Sequence, residues 1–262
     1  MPSLWSVIVG AVVLSIATFS GGFALATPFG ASFQHGGGAN DQPVWLATKV
    51  SSSNWAGYAA TTTTTGAVSK VTGSWIEPAV TCPSGTSVIS LVAFWVGIDG
   101  FSSKTVEQTG TLAECSGSVL VGYFTWWELY PLNDIQLVGS VSPGDHISAH
   151  VTWNGGSSFT MYIKDTTTGV AFSKTASQSA TETSAECIAE APTSGGTITP
   201  LPDFGKVTFG TCTATISGVS GGIGSFSSVY EITTVDSAKK VLMQPSALTN
   251  KKTFHVTWKA AS

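Results

Sequence analysis

The sequence predicts an all-β protein, built as two packed antiparallel sheets or a barrel, and three observations carry that expectation. Runs of β-branched and aromatic residues of strand length recur along the chain, and turn clusters separate them. No segment of ten or more residues sustains a 3.6-residue apolar period. The first expected strand, 70–76, carries Val71, Thr72, Trp75 and Ile76. The second, 87–96, runs through Val88, Ile89, Val92, Phe94 and Trp95, and the third, 118–130, through Val119, Val121, Tyr123, Phe124 and Trp126. Ser142-Pro143-Gly144-Asp145 is a turn that opens 146–153, and Asn154-Gly155-Gly156 closes it before 159–164. Thr168-Gly169 ends that strand. The remaining strands are 206–215 with Val207 and Phe209, 227–234 with Val229 and Ile232, and 253–259 with Phe254 and Val256.

Composition bounds the function. Charged residues make up 10% of 262, there is no Arg among the 11 basic residues, and the net charge is −4. A surface of this kind depends on hydroxyls and amides and offers no basic stripe to phosphates, so nucleic acid is excluded as a partner. Residues 4–19 form an apolar run that is too short to span a bilayer, and Ala24-Leu25-Ala26 supplies a small-x-small cleavage pattern. Export is expected, although the first 48 residues hold neither Lys nor Arg. The competing reading is a retained N-terminal anchor. We expect a signal peptide at 1–26, a short prosegment or flexible leader at 27–50, and one folded domain at 51–262, acting outside the cell as a monomer without stable membrane association. Cys82, Cys115, Cys187 and Cys212 allow three pairings in an oxidising compartment, of which local spacing favours Cys82–Cys115 and Cys187–Cys212.

Two short segments carry chemistry. Val106-Glu107-Gln108-Thr109-Gly110 offers a Gln, and Ala185-Glu186-Cys187-Ile188-Ala189-Glu190 offers two Glu. A Glu carboxylate takes a proton from water, and a Gln amide donates hydrogen bonds to a developing oxyanion without titrating. Neighbouring Glu107 and Gln108 point to opposite faces of a strand, so one of them alone enters a site. These segments occur with Ser53-Asn54-Trp55-Ala56-Gly57-Tyr58, Trp95-Val96-Gly97-Ile98-Asp99-Gly100 and Trp126-Trp127-Glu128-Leu129-Tyr130-Pro131. The ordered set resembles the glutamic peptidases, or eqolisins, from about residue 51 to the C-terminus. The resemblance implies a concanavalin A-like β-sandwich and an acid endopeptidase, with Glu190 as general base and Gln108 as oxyanion donor. It also implies a cleft lined by Trp55, Trp95 and Trp127, with Asp99 and Glu128 as supporting acids hydrogen-bonded near the pair. Polypeptide substrates are expected, with no cofactor and no metal. Where Cys187 stands, the family usually has an aromatic or a bulky aliphatic residue.

Other readings compete with this one. A glycosidase on the same sandwich needs two carboxyls about 5–9.5 Å apart, whereas Glu186 and Glu190 sit about 13 Å apart along a regular strand, with Ile188 where one such family has an Asp. A non-catalytic lectin would use the Trp-rich surfaces to hold sugar. Gly218-Val219-Ser220-Gly221-Gly222 fits a Gly-x-Ser-x-Gly nucleophile pattern but lacks the strand-turn-helix setting that the pattern requires. Asp145, His146 and His150 are too far apart on a strand to share a metal.

Overall fold

Alternating small and large apolar residues carry the chain from strand to strand, and cross-strand hydrogen bonding joins almost all of them into one long sheet that folds back on itself. The computed structural model describes residues 47–85 and 87–261, together with the backbone of Val12–Val13, which pairs antiparallel with Thr193–Ser194. Apart from Val12–Val13, the expected export signal lies outside the described residues, as does most of the expected leader. The expected leader does include residues 48–50, which here belong to β1 (Thr48–Ser52), a strand parallel to a later one.

The strands that follow are β2 (Trp55–Thr61), β3 (Val68–Ile76), β4 (Ile89–Ile98), β5 (Val106–Ser116), β6 (Val119–Tyr130) and β7 (Gln136–Ser140). Next come β8 (His146–Gly155), β9 (Ser158–Asp165), β10 (Ala171–Ser177) and β11 (Ser184–Glu190). The short pair β12 (Thr193–Ser194) and β13 (Thr197–Ile198) leads to β14 (Lys206–Ile216), β15 (Val219–Gly222), β16 (Val229–Val235), β17 (Val241–Pro245) and β18 (Phe254–Trp258). The order across the sheet is β10-β9-β8-β3-β14-β18-β17-β16-β2-β11-β4-β5-β6-β7. The β14–β18–β17–β16 stretch turns the sheet, so that β3, β8 and β9 lie against β4, β5 and β11. The result is a β-sandwich, as expected.

Side-chain alternation divides β4 between two environments. Val92, Phe94, Val96 and Ile98 point into the core between the layers, with Trp75, Phe159, Phe209 and Phe254. Leu91, Ala93 and Trp95 point to the other face, where Trp55, Leu112, Trp126 and Ile188 join them in a second apolar cluster. Both favoured disulfides are present, Cys82–Cys115 and Cys187–Cys212. Cys187 faces the core from β11 and reaches β14 in the opposite layer, so a covalent bond ties the Glu190 strand to the other sheet.

Candidate active site

Glu190 ends β11 on the outer face of its layer and is fully buried. Its Oε1 accepts a hydrogen bond from Asn54 Nδ2 at 2.8 Å, and its Oε2 accepts one from Trp95 Nε1 at 2.8 Å. Asn54 is held in the bend between β1 and β2. Its Oδ1 accepts from the Ser52 hydroxyl at 3.3 Å, and its carbonyl accepts from the Ala191 N–H at 2.9 Å. The Ser52 Oγ also accepts from the Trp55 N–H at 3.1 Å, which closes the bend and aims the Asn54 amide at the carboxyl. Burial pushes the Glu190 carboxyl well above its ordinary range, while the Trp95, Trp55 and Asn54 N–H groups pull in the opposite direction.

Gln108 is the third residue of β5, 1% exposed, and donates from Nε2 to Glu128 Oε2 at 2.7 Å. The two are direct cross-strand partners on β5 and β6. An amide nitrogen carries two hydrogens, so the bond to Glu128 leaves the second for another acceptor. Glu128 therefore orients the amide without exhausting it.

Register relates the two halves. Tyr230, Ala59, Glu186, Gly97, Gln108 and Glu128 are successive Cα partners across six strands and share one face. Glu190 lies on that face too, four residues along β11 from Glu186. On β4, Gly97 is the partner of Gln108 and Ala93 the partner of Glu190, with Trp95 midway between them. The Trp95 indole spans this gap. Its Nε1 bonds Glu190, and its Cζ3 would stand 2.8 Å from a Cβ on Gly97. Trp55 meets the same indole edge-on, with ring centroids 4.9 Å apart.

Two expected members of the cleft are placed elsewhere. Trp127 pairs with Thr109 and so points away from Gln108, into the main core, with Lys174 Nζ 5.4 Å from its ring centroid. Alternation puts its neighbour Trp126, fully buried, on the site face instead. Asp99 bonds neither Gln108 nor Glu190. Its carboxylate accepts the backbone N–H groups of Thr181, Glu182 and Thr183, each at 2.8 Å, and pins that turn to the end of β4. Asp99 itself adopts a positive φ of 68°, a conformation more accessible to Asp than to bulkier residues.

Three residues of the site face were not among the expected site residues: Asn54, Trp126 and Glu186. Asn54 lies in one of the quoted segments, but its role rests on a contact 136 positions away. Glu186 is fully buried, with the Ser184 hydroxyl and the Phe101 backbone as its neighbouring donors. Burial, with Asp99 and Glu107 nearby, holds it well above the ordinary range. Glu107 is on the core side of β5, where its Oε1 accepts from Gln178 Nε2 at 2.6 Å and burial raises its pKa to about 9. Among the described residues no group of three His, Cys, Asp or Glu is placed to hold a metal ion. What the face offers chemically is a carboxyl held by two donors and an amide held by a second carboxyl.

The family described as Peptidase A4 matches residues 53–258. Aspergillopepsin-2 of Aspergillus niger is 32% identical over 193 residues, covering 64% of this chain and 66% of that protein. The chain thus spans just under two thirds of the length of that relative. Scytalido-glutamic peptidase, solved with a peptide-based transition-state analogue, superposes with a TM-score of 0.65 at 24% identity over 79% of this chain and 98% of its own. SCP-B, a member of the eqolisin family solved with the tripeptide Ala-Ile-His, gives 0.63 at 23% identity, with the same coverage. Aspergilloglutamic peptidase from Aspergillus niger gives 0.55 at 26% identity over 64% of this chain and 99% of its own.

Proposed function

This chain belongs to the Peptidase A4 family, and on that premise we propose that it is a secreted glutamic-type acid endopeptidase in which Glu190 and Gln108 cut polypeptides without cofactor or metal. The observation that carries the reading is the placement of these two residues on one face, Glu190 gripped by Asn54 and Trp95, and Gln108 steered by Glu128. The peptide-based analogue and the tripeptide in the similar solved structures support a polypeptide as substrate. The two disulfides support action outside the cell.

In the proposed reaction a water oxygen attacks the scissile carbonyl carbon while the Glu190 carboxylate takes its proton. The carbonyl oxygen becomes an oxyanion and accepts the spare N–H of Gln108. The C–N bond then breaks, and Glu190 returns the proton to the departing amine, giving one acid and one amine for each water consumed. The water that Glu190 activates also solvates it. The carboxyl that reacts is therefore less desolvated than the buried one, and its pKa falls below the level that burial alone would set, which favours the carboxylate.

Glu190→Gln and Gln108→Glu are each expected to remove cleavage of a denatured protein substrate at acidic pH while leaving the fold intact. Loss of one oxyanion donor typically costs about 100- to 1000-fold in rate, and loss of the base at least as much. Near-wild-type turnover by either folded variant would assign the chemistry to other residues, with Glu186 the first to test.

A further inference from the structure

The site face continues past Glu186 to the far side of β2, where it opens into a groove of about 540 Å³. Thr61, Thr62, Phe101, Phe226, Ser228 and Tyr230 are among its lining residues, and none of the lining residues is charged. The Phe101 and Tyr230 rings are 4.5 Å apart and tilted by 37°. The Thr61 and Ser228 hydroxyls satisfy each other at 2.8 Å. The walls thus combine aromatic rings with neutral hydroxyls, and the lining holds no counter-ion for a charge.

Strand register relates the groove to the site face. Tyr230 begins the row of Cα partners that runs through Ala59, Glu186 and Gly97 to Gln108. Phe101 and Tyr230 also pack against the apolar cluster that contains Trp55 and Trp95. Four strand spacings of about 4.8 Å put Tyr230 roughly 19 Å from Gln108, the reach of about six residues of extended chain.

Resting on the peptidase reading above, we propose that this groove is a distal subsite that takes an apolar or aromatic side chain of an extended polypeptide, about five or six residues from the scissile bond. The lining selects against Asp or Lys at that position, because a charge would be desolvated there without a partner.

Two peptide sets test this. They share eight central residues around one scissile bond, and the long set adds four residues on one side or the other, with Phe, Ala or Asp placed along the extension. The eight-residue core reaches about 13 Å to either side of the bond, short of the groove. The expected result is a kcat/KM about tenfold higher for the Phe extension on one side than for the short peptide, in keeping with partial burial of one ring. Ala and Asp extensions should give no such gain. The long-to-short ratio should fall to about one in Tyr230→Ala and persist in Tyr230→Phe. A ratio near one in the wild type for every extension, or a ratio unchanged in Tyr230→Ala, would overturn the subsite. If neither set is cut, the catalytic reading fails, and the groove is judged by equilibrium binding of the same long peptides. A tenfold lower Kd for Phe over Ala that vanishes in Tyr230→Ala supports the subsite, and equal Kd values overturn it.

Discussion

At the scale of the residue, Glu190 is set by opposing influences: burial favours its neutral form, and the N–H groups of Trp95, Trp55 and Asn54 favour its charged form. Trp95→Phe keeps a ring and deletes the donor at 2.8 Å. The Glu190 pKa should then rise, and the acid limb of the kcat/KM profile should move to higher pH by about one unit, since a hydrogen bond to a charged acceptor is worth on the order of 1.5–3 kcal/mol. A pH-rate series on both proteins measures it, and an unmoved limb would mean that Trp95 only packs. The residues themselves were unequally legible. Gln108 and Glu190 stand out because each occupies a fixed place in a short segment, whereas nothing in the sequence says that Asn54 folds back onto a glutamate 136 positions away.

At the scale of the strand, the expected runs gave β3, β4, β6, β8, β9, β14, β16 and β18, and left out interior strands such as β2 and β17 as well as the margins. The expected runs 70–76 and 206–215 match β3 and β14 to within two residues, because both alternate buried and exposed positions. Strands β7 and β10 lie at the two ends of the sheet order and are largely exposed, so they carry no apolar alternation to be found. Adjacent Trp126 and Trp127 must face opposite ways on a strand, but which of them shares the face of Gln108 is decided by the β5–β6 register, a nonlocal fact. Gly97 on β4 shows what the register demands. A methyl group there would stand 2.8 Å from Trp95 Cζ3 and 3.3 Å from the Glu107 carbonyl oxygen. Gly97→Ala should therefore tilt the indole off Glu190, lowering kcat/KM by tenfold or more and destabilising the fold by about 1–3 kcal/mol. Denaturant melts together with kinetics separate the two effects, and full activity in this variant would show that the ring has room to move.

At the scale of the whole molecule, the fold is built to hold neutral carboxyls. Glu77, at the end of β3, is fully buried against Trp75, whose Nε1 donates to its Oε2 at 3.3 Å, and burial raises its pKa from the ordinary 4.5 to about 7. A Glu just past a strand and before a Pro reads as an exposed turn residue, which is why the sequence gives no hint of it. Because the folded state holds this proton more tightly than the unfolded chain, the stabilisation is complete below pH 4.5 and is lost as pH rises to about 7. The loss is on the order of 3 kcal/mol for Glu77 alone. Glu107 extends the same trend to about pH 9. Thermal melts should thus show Tm falling from acid towards neutral pH, and Glu77→Gln should flatten the part of that fall between pH 4.5 and 7. A Tm that climbs over this interval would contradict the burial of these groups. The same carboxyls give folding a chemical stoichiometry: at pH 6 Glu77 and Glu107 ionise in the open chain and recapture their protons in the native one. A weakly buffered solution of refolding chains turns alkaline, and acid added to it drives more chains to the native state.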